Sequence, residues 1–388
     1  MPAVVGRSKR EVFLNLKDRV WNRLQSWKNK NLSQAGKAVL LKSVIQTMPA
    51  FVMSCFMVPS SICSEIEGMM SDFFWHNKGI RKIHWISWEN LCVRKEEGGL
   101  GFQKMGAFNL AMLAKQLWRI ISQPHCLLSR VLKQKYFPTT DVLSGSASQG
   151  CSFTWRSIVE ARPVILLGSR WQVGDGLTAR IWLDRWIPRP ISFRVITAPH
   201  RLSPDAKVAT LFYEDRDLWN ETLVRNIFRP EDADVILGIS VSRSHPDTFH
   251  WHYDTKGRFS VRSAYHLLVD GSRGLQGSSS SGPVSWKFLW RAAVPPKVQL
   301  FAWKICREAL PSASRLARRG ILLDSRCVWC GEEAGDLLHV FLHCHYSRLV
   351  WALTGIPSRH VACGHACPEL WIRGLHQKLD RDEFCRAS

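Results

Sequence analysis

A group of residues able to bind a metal ion lies in CVWCGEEAGDLLHVFLHC, residues 327–344. Cys327 and Cys330 form a C-x-x-C pair followed by a glycine, which suits a tight turn whose backbone amides point at the sulfurs. His339 and Cys344 complete a C-x2-C-x8-H-x4-C pattern. Three thiolates and one imidazole satisfy the tetrahedral preference of Zn²⁺, and four protein ligands leave no position for water. The pattern therefore predicts one structural zinc ion.

The spacing alone leaves the fourth ligand open. His339 and His343 are four residues apart and would share one face of a helix, so Cys327, Cys330, His339 and His343 form an alternative set. In a third interpretation the cysteines are buried thiols and the histidines cap a helix. A redox-active C-x-x-C is disfavoured because no βαβ pattern surrounds it.

A second group of cysteines and histidines follows in HVACGHAC. Its members are His360, Cys363, His365 and Cys367. The flanking sequence shows little periodicity, so we interpret residues 353–388 as a variable tail. The role of this second group stays open.

The charge of the chain points to a polyanionic partner. Lys and Arg outnumber Asp and Glu by 53 to 32 in 388 residues, which gives a formal net charge of +21. Nucleic acid, RNA or DNA bound through its phosphate backbone, is the partner we expect, ahead of an anionic membrane. The N-terminus lacks an apolar signal-peptide core, and no apolar run could span a bilayer. We therefore expect an intracellular protein, nuclear or cytoplasmic, with thiols rather than disulfides.

The elements that would position these residues are mostly helices. Apolar periodicity predicts helices over residues 8–28, from Ser33 to Pro49, after Ser60, and over 107–122, so residues 1–150 form a basic helical region. Residues 151–269 form a mixed middle region. In it, alternating runs on both sides of Asp175-Gly176 predict a β-hairpin within 169–188, and residues 257–268 predict a short strand followed by a helix.

The segment DGSRGLQGSSSSGP, residues 270–283, is rich in Gly and Ser and predicts a flexible linker. After it, residues 284–352 resume apolar helical patterns and run into the cysteines, which predicts a small helical zinc-binding module. The expected fold class is an α-rich multidomain protein of the α+β kind. We expect most of the 18 Trp side chains to lie in the core.

Residues 286–351 resemble the zinc-binding reverse-transcriptase domain of plant LINE-type non-LTR retrotransposons. The resemblance is carried by residues in family-like order: Trp290, Pro295-Pro296-Lys297, Leu310-Pro311, Arg319-Gly320 and Trp351. Upstream segments, among them EEGGLGFQKMGAFNLAMLAKQLWRI, WQVGDG and GRFSVRSAYHLL, are similar to the part of these polyproteins that follows the polymerase palm. The resemblance implies Cys344 rather than His343 as the fourth zinc ligand.

The resemblance does not extend to a catalytic centre. A reverse transcriptase needs metal-binding carboxylates, usually in a Y-x-D-D string, whereas the nearest string here is FYEDRD, residues 212–217. We interpret FYEDRD as a solvated surface loop, and we expect no ribonuclease H module. The predicted function is a retrotransposon-derived, zinc-stabilised nucleic-acid-binding fragment without polymerase activity of its own. The alternatives are part of a reverse transcriptase acting with a separate palm, a protein-interaction scaffold, or a decayed open reading frame.

Basic residues that lead into the zinc motif are the candidates for contact with phosphate. They are Lys297, Lys304, Arg315, Arg318 and Arg319. Their spacing suits a phosphate-binding surface and, equally, an ordinary solvated helix face.

Overall fold

The computed structural model describes residues 9–28, 30–76, 83–143, 150–189, 191–213, 216–274, 286–321, 324–331, 334–354 and 367–378. The chain divides into two compact units. The first comprises Met1–Val12, Pro49–Ser60 and Met105–Ser278, and the second Phe13–Met48, Ser61–Lys104 and Ser279–Ser388. Each unit therefore combines segments that are distant in sequence. Among the described residues, no helix is long and apolar enough to cross a membrane.

Seven helices occupy the described residues up to 143. They are α1 (Lys9–Lys28), α2 (Gln34–Leu40), α3 (Ala50–Met53), α4 (Ser60–Trp75), α5 (Trp88–Leu91), α6 (Met105–Ser122) and α7 (Leu127–Tyr136). The four predicted helices correspond to α1, α2, α4 and α6. Ser33 caps α2 as expected, since its hydroxyl accepts a hydrogen bond from the amide of Gly36 at 3.1 Å. A π-helical turn, Leu41–Ile45, continues α2. The α-rich character of the prediction is confirmed.

The core of the first unit forms around α6. This helix packs against α8 (Phe153–Val159), α9 (Arg162–Gly168) and α12 (Val261–Gly274). The buried Asn109 of α6 also holds the segment after α3: its amide nitrogen donates to the carbonyls of Met53 and Phe56 at 2.8 and 2.9 Å. Its oxygen accepts from the amide of Val58 at 2.8 Å. One polar side chain thus satisfies three backbone groups in the core.

The prediction of a β-hairpin within residues 169–188 is wrong. Strand β1 (Ser169–Gln172) pairs antiparallel with β2 (Thr248–Trp251), so its partner is distant in sequence. The segment after β1 instead wraps around the carboxylate of Asp247, which accepts four backbone N–H groups at 2.7–2.9 Å, from Gly174, Gly176, Thr178 and Ala179. These amides are therefore satisfied by a side chain and not by a neighbouring strand.

The rest of the middle region forms a second apolar cluster in the first unit. It contains α10 (Glu221–Ile227) and α11 (Pro230–Leu237), with Trp186 and Leu211 fully buried. Residues 257–268 are predicted to form a short strand followed by a helix. The described residues 257–260 form no strand, whereas the predicted helix is α12. Helix α12 continues to Gly274, so the first residues of the predicted linker are helical. Residues 275–283 lie outside the described residues.

The second unit joins the C-terminal segment to residues from the first hundred. Its C-terminal helices are α13 (Lys287–Arg291), α14 (Pro296–Cys306), α15 (Ala313–Arg318), α16 (His345–Leu353) and α17 (Pro368–Lys378). Helix α14 packs against α2 and α17. The indole N–H of Trp303 donates to the carbonyl of Gly98 at 2.9 Å, and that of Trp290 donates to the carbonyl of Lys95 at the same distance. The segment that carries the zinc motif therefore shares a core with α2 and the loop at Gly98.

Candidate metal centre

Four side chains from the predicted zinc motif come together in the second unit. The sulfurs of Cys327, Cys330 and Cys344 and a ring nitrogen of His339 all lie within 4.8 Å of one another. The Cys327 and Cys344 sulfurs are 4.0 Å apart, and the Cys330 sulfur is 3.2 Å from Nε2 of His339. Cys327, His339 and Cys344 are buried and Cys330 is half-buried.

A tight turn positions the first two cysteines. The amide of Gly331 donates to the carbonyl of Cys327 at 2.8 Å, which closes the turn. Gly331 has φ of +73°, a conformation that glycine adopts without steric cost and that a side chain would strain. The C-x-x-C-G sequence thus folds as its composition indicates, and it brings both sulfurs to the same side.

A π-helical turn, His339–His343, positions the other two side chains. The amide of His339 donates to the carboxylate of Asp336 at 2.7 Å, which fixes the start of the turn. The amide of Cys344 donates to the carbonyl of His339 at 2.7 Å, a bond that spans five residues rather than four. Cys344 therefore reaches the cluster, while His343 is exposed to solvent. Regular helical spacing would favour His343, but it requires a four-residue turn that the chain does not make here.

The surroundings of the sulfurs act in opposite directions on their protonation. Burial disfavours the thiolate of Cys327, but the backbone amides of Cys330 and Trp329 favour it, and the pKa of Cys327 lies below its ordinary value. Burial raises the pKa of Cys344, and the neighbouring Cys327 sulfur raises it further. Two thiols this close resist losing both protons unless a cation lies between them.

The donor set fits a tetrahedral metal ion. Zinc–sulfur bonds of about 2.3 Å in tetrahedral geometry place two sulfurs roughly 3.8 Å apart, close to the 4.0 Å between Cys327 and Cys344. Soft thiolates with one imidazole are the donors that zinc and similar ions prefer. The four residues could therefore hold one metal ion. All four positions around such an ion would be filled by protein, so its role would be structural.

The basic residues proposed for phosphate contact differ in their surroundings. Lys297 and Arg318 are exposed. Arg315 pairs with Glu308, and Arg319 donates to the carbonyl of His84 at 3.3 Å. The guanidinium groups of Arg315 and Arg319 also lie over the Trp85 ring, 5.8 and 5.0 Å from its centre. These two arginines are therefore already engaged within the second unit.

Lys304 lies half-buried in the second unit. Burial, together with the charge of Lys37, lowers the pKa of Lys304 to about 8. A lysine that is partly neutral near physiological pH is a weaker phosphate ligand than an exposed one. The five candidates thus differ in exposure and in the contacts that they already make, and Lys297 and Arg318 are exposed.

Two other predicted features fall partly outside the described residues. Of the second cysteine–histidine group, His360, Cys363 and His365 lie outside them, and Cys367 is half-buried just before α17. In FYEDRD, Glu214 and Asp215 lie outside, while the flanking Tyr213, Arg216 and Asp217 are exposed.

Sequence reasoning missed one aromatic residue at the metal centre. Nine of the 18 tryptophans are buried and seven are half-buried, and Trp155, Trp186, Trp251 and Trp303 are fully buried. Trp329, between the two cysteines of the turn, is 70% exposed, and its neighbour Val328 is 83% exposed. The signal was available in the sequence, because residues between two ligands of a C-x-x-C turn must point away from the metal.

The chain is similar to known proteins in two ways. Residues 259–351, which include all four clustered residues, match the family described as zinc-binding in reverse transcriptase. A protein of Arabidopsis thaliana named putative ribonuclease H protein is 28% identical over 367 residues, 92% of this chain and 58% of the relative. The chain thus spans less than two thirds of that relative's length.

An uncharacterized mitochondrial protein of Arabidopsis thaliana is 44% identical over 142 residues. The match covers 36% of this chain and 92% of the relative. Together with the zinc-binding domain, these matches agree with the resemblance found from the residues. The chain belongs to the plant retrotransposon-derived proteins that carry the zinc-binding domain of reverse transcriptases.

Proposed function

We propose that this chain is a zinc-stabilised nucleic-acid-binding protein of retrotransposon origin, without polymerase activity of its own. The observation that carries the proposal is the convergence of Cys327, Cys330, His339 and Cys344 within the zinc-binding domain of a strongly basic chain. One Zn²⁺ held by these residues would fasten the C-x-x-C turn to the π-helical turn. Such an ion typically contributes on the order of 10 kcal/mol to folding.

The partner we propose is RNA or DNA, bound through its phosphate backbone. The net charge of +21 supports this proposal, because a field of that size attracts polyanions and releases counterions on binding. Lys297, Arg318 and Arg319 are the three exposed cations among the five candidates, and Arg319 already contacts His84 and Trp85. Binding of this kind depends strongly on salt and discriminates little between sequences.

Metal analysis of the full chain tests the zinc site. We expect one zinc ion per chain, lost in Cys344→Ser and in His339→Asn. His343→Asn should keep the ion, because His343 is exposed. Cys151→Ser is the matched control, since Cys151 is a half-buried thiol in the other unit. Zinc that survives Cys344→Ser but is lost in His343→Asn would contradict the proposed ligand set.

Titration of nucleic acid over a range of salt concentrations tests the partner. Lys297→Gln and Arg318→Gln should each weaken binding and reduce the salt slope by about 1, the value for one phosphate contact. Lys304→Met is the control, and its slope should match that of the unaltered protein because Lys304 is half-buried. An affinity that does not change with salt would refute the electrostatic mechanism.

A primer-extension assay tests the absence of polymerase activity. The sequence contains no Y-x-D-D string, and in FYEDRD an arginine stands where a second aspartate would bind metal. We expect no extended product from the purified chain with template, primer and Mg²⁺. Template-dependent product would show that carboxylates elsewhere in the chain form a catalytic centre.

A further inference from the structure

The tip of the C-x-x-C turn presents an unusual apolar surface. Trp329 is 70% exposed and Val328 is 83% exposed, although a large aromatic side chain gains most by burial. Among the described residues, no aromatic ring packs against Trp329, and no Lys or Arg lies over its ring. An exposed tryptophan without an internal partner is typical of a surface that contacts another molecule.

The turn holds the main chain at Trp329 in a defined position. Cys327 and Cys330, on either side of the exposed pair, both bring their sulfurs to the metal cluster. The backbone amides of Trp329 and Cys330 act on the Cys327 sulfur, and the amide of Gly331 closes the turn at 2.8 Å. The main chain at Trp329 therefore has little freedom to lose when a ligand binds, and binding to a preorganised group costs less entropy.

A second exposed aromatic residue lies close in sequence to another member of the same cluster. Tyr346 is 54% exposed and lies in the first turn of α16, two residues after Cys344. The backbone amide of Tyr346 acts on the Cys344 sulfur, as that of Trp329 acts on the Cys327 sulfur. Because these two sulfurs are 4.0 Å apart, the two aromatic residues belong to neighbouring turns of one cluster.

The segment from residue 286 to residue 354 is positively charged as a whole, which suits an anionic ligand, whereas the residues next to the turn in sequence, 324–336, are mainly acidic. Residues 286–354 contain ten Lys and Arg and five Asp and Glu. A ligand that offers flat apolar faces and negative charge matches both the aromatics and this excess of cations. Single-stranded nucleic acid has this combination, since every unpaired base has a face that can stack and every nucleotide carries a phosphate. In a duplex the faces of the bases are already stacked on each other.

We infer that Trp329, together with Tyr346 on the neighbouring turn of the metal cluster, is a stacking platform for unpaired bases of single-stranded RNA or DNA. This inference rests on the proposed function, because it requires that the chain binds nucleic acid. Trp329 and Tyr346 would contact the bases, and the lysines and arginines would contact the phosphates. Stacking is insensitive to base identity, so the platform favours single strands without selecting a sequence.

The test compares variants of the full, zinc-loaded chain on two probes, a fluorescein-labelled uridine homopolymer and a blunt RNA duplex. Trp329→Ala should weaken binding to the homopolymer about 5- to 150-fold, the range for loss of one stacked base. Trp329→Phe should retain most of the affinity, and Trp329→Leu, which keeps an apolar side chain but no ring, should lose it. Duplex affinity, the salt slope and zinc content should stay unchanged.

Trp21→Ala is the matched control, because Trp21 is a 47% exposed tryptophan on α1 in the same unit. It should leave binding to both probes unchanged. Equal affinity of the Trp329→Ala and unaltered chains for the homopolymer would overturn the stacking platform while leaving the proposed function in place. An equal loss on the duplex would also overturn it. Absence of binding by the unaltered chain to either probe would overturn both.

Discussion

Replacement of Asp247 by asparagine should open the loop that replaces the expected hairpin. The Asp247 side chain is buried, with 8% of the residue exposed, and each of its oxygens accepts two backbone N–H groups. Burial disfavours the carboxylate charge, yet these four bonds outweigh it and hold the pKa of Asp247 below its usual value. The charged carboxylate is therefore the form that the fold requires.

The size of the effect follows from the hydrogen bonds. An asparagine can accept from two of the four amides through its oxygen, but its NH₂ group would then face the other two donors. Each hydrogen bond to a charged group contributes about 1.5–3 kcal/mol, so losing two of them costs at least about 3 kcal/mol. That cost raises the equilibrium constant for local opening of the loop by about 10²-fold, and amide hydrogens in the loop should exchange faster in proportion. The advantage of Asp247 over asparagine should disappear as the pH falls through its lowered pKa, because protonation then removes the charge.

Hydrogen exchange measured by mass spectrometry would report this opening in the peptide that contains Gly174–Ala179. Asp175→Asn is the matched control: Asp175 lies in the same loop but accepts one local bond, from Leu177 at 3.0 Å, which asparagine also accepts. Exchange in Asp175→Asn should match that of the unaltered chain. Equal exchange in the Asp247→Asn and Asp175→Asn variants would refute the role given to the buried carboxylate.

Three further substitutions test two packing contacts and the lowered pKa of Lys304. Gly176→Ala should destabilise the first unit by at least about 2 kcal/mol in urea titrations, because Gly176 has φ of +70° and an added Cβ would lie 2.5 Å from the Ala209 amide nitrogen. Asn109→Ala should cost about 3 kcal/mol in the same assay, since three buried backbone groups lose their partner. Lys304→Met should reduce the rise in unfolding free energy between pH 7 and about 10. In the unaltered chain that rise is expected because folded Lys304 loses its proton near pH 8, while the unfolded side chain keeps it to higher pH. A rise of equal size in the variant would contradict the lowered pKa.

The parts of the fold that could be predicted are those set by local sequence. Helices α1, α4 and α6 have apolar residues at helical spacing, and the cap at Ser33 lies directly before its helix. Each of these signals lies within the element that it specifies. The C-x-x-C turn is equally local, because its glycine and both cysteines occupy five consecutive residues.

The hairpin error has a physical cause, which is a partner distant in sequence. Asp175-Gly176 has the composition of a hairpin turn, but the amide of Gly174 bonds to Asp247, 73 residues away. A buried carboxylate that accepts four amides outweighs the preference of two residues for a turn.

The position of Cys344 was hard to predict for another reason. Local spacing assumes α-helical turns, whereas a π-helical turn displaces the next side chain by one residue.

The same kind of distant pairing joins two of the sequence stretches that carry the resemblance. The loop at EEGGLGF and the tryptophans that precede the zinc motif are two halves of one contact in the second unit. Indole N–H groups of Trp290 and Trp303 donate to carbonyls of Lys95 and Gly98, 195 and 205 residues away. Gly98 has φ of +91°, and an added Cβ would lie 2.8 Å from the Trp286 ring, so a side chain at position 98 would strain the backbone and clash with this ring. The zinc motif is therefore built onto a core that the first hundred residues help to form. The stability of the zinc motif thus depends on Gly98 as well as on the four clustered side chains.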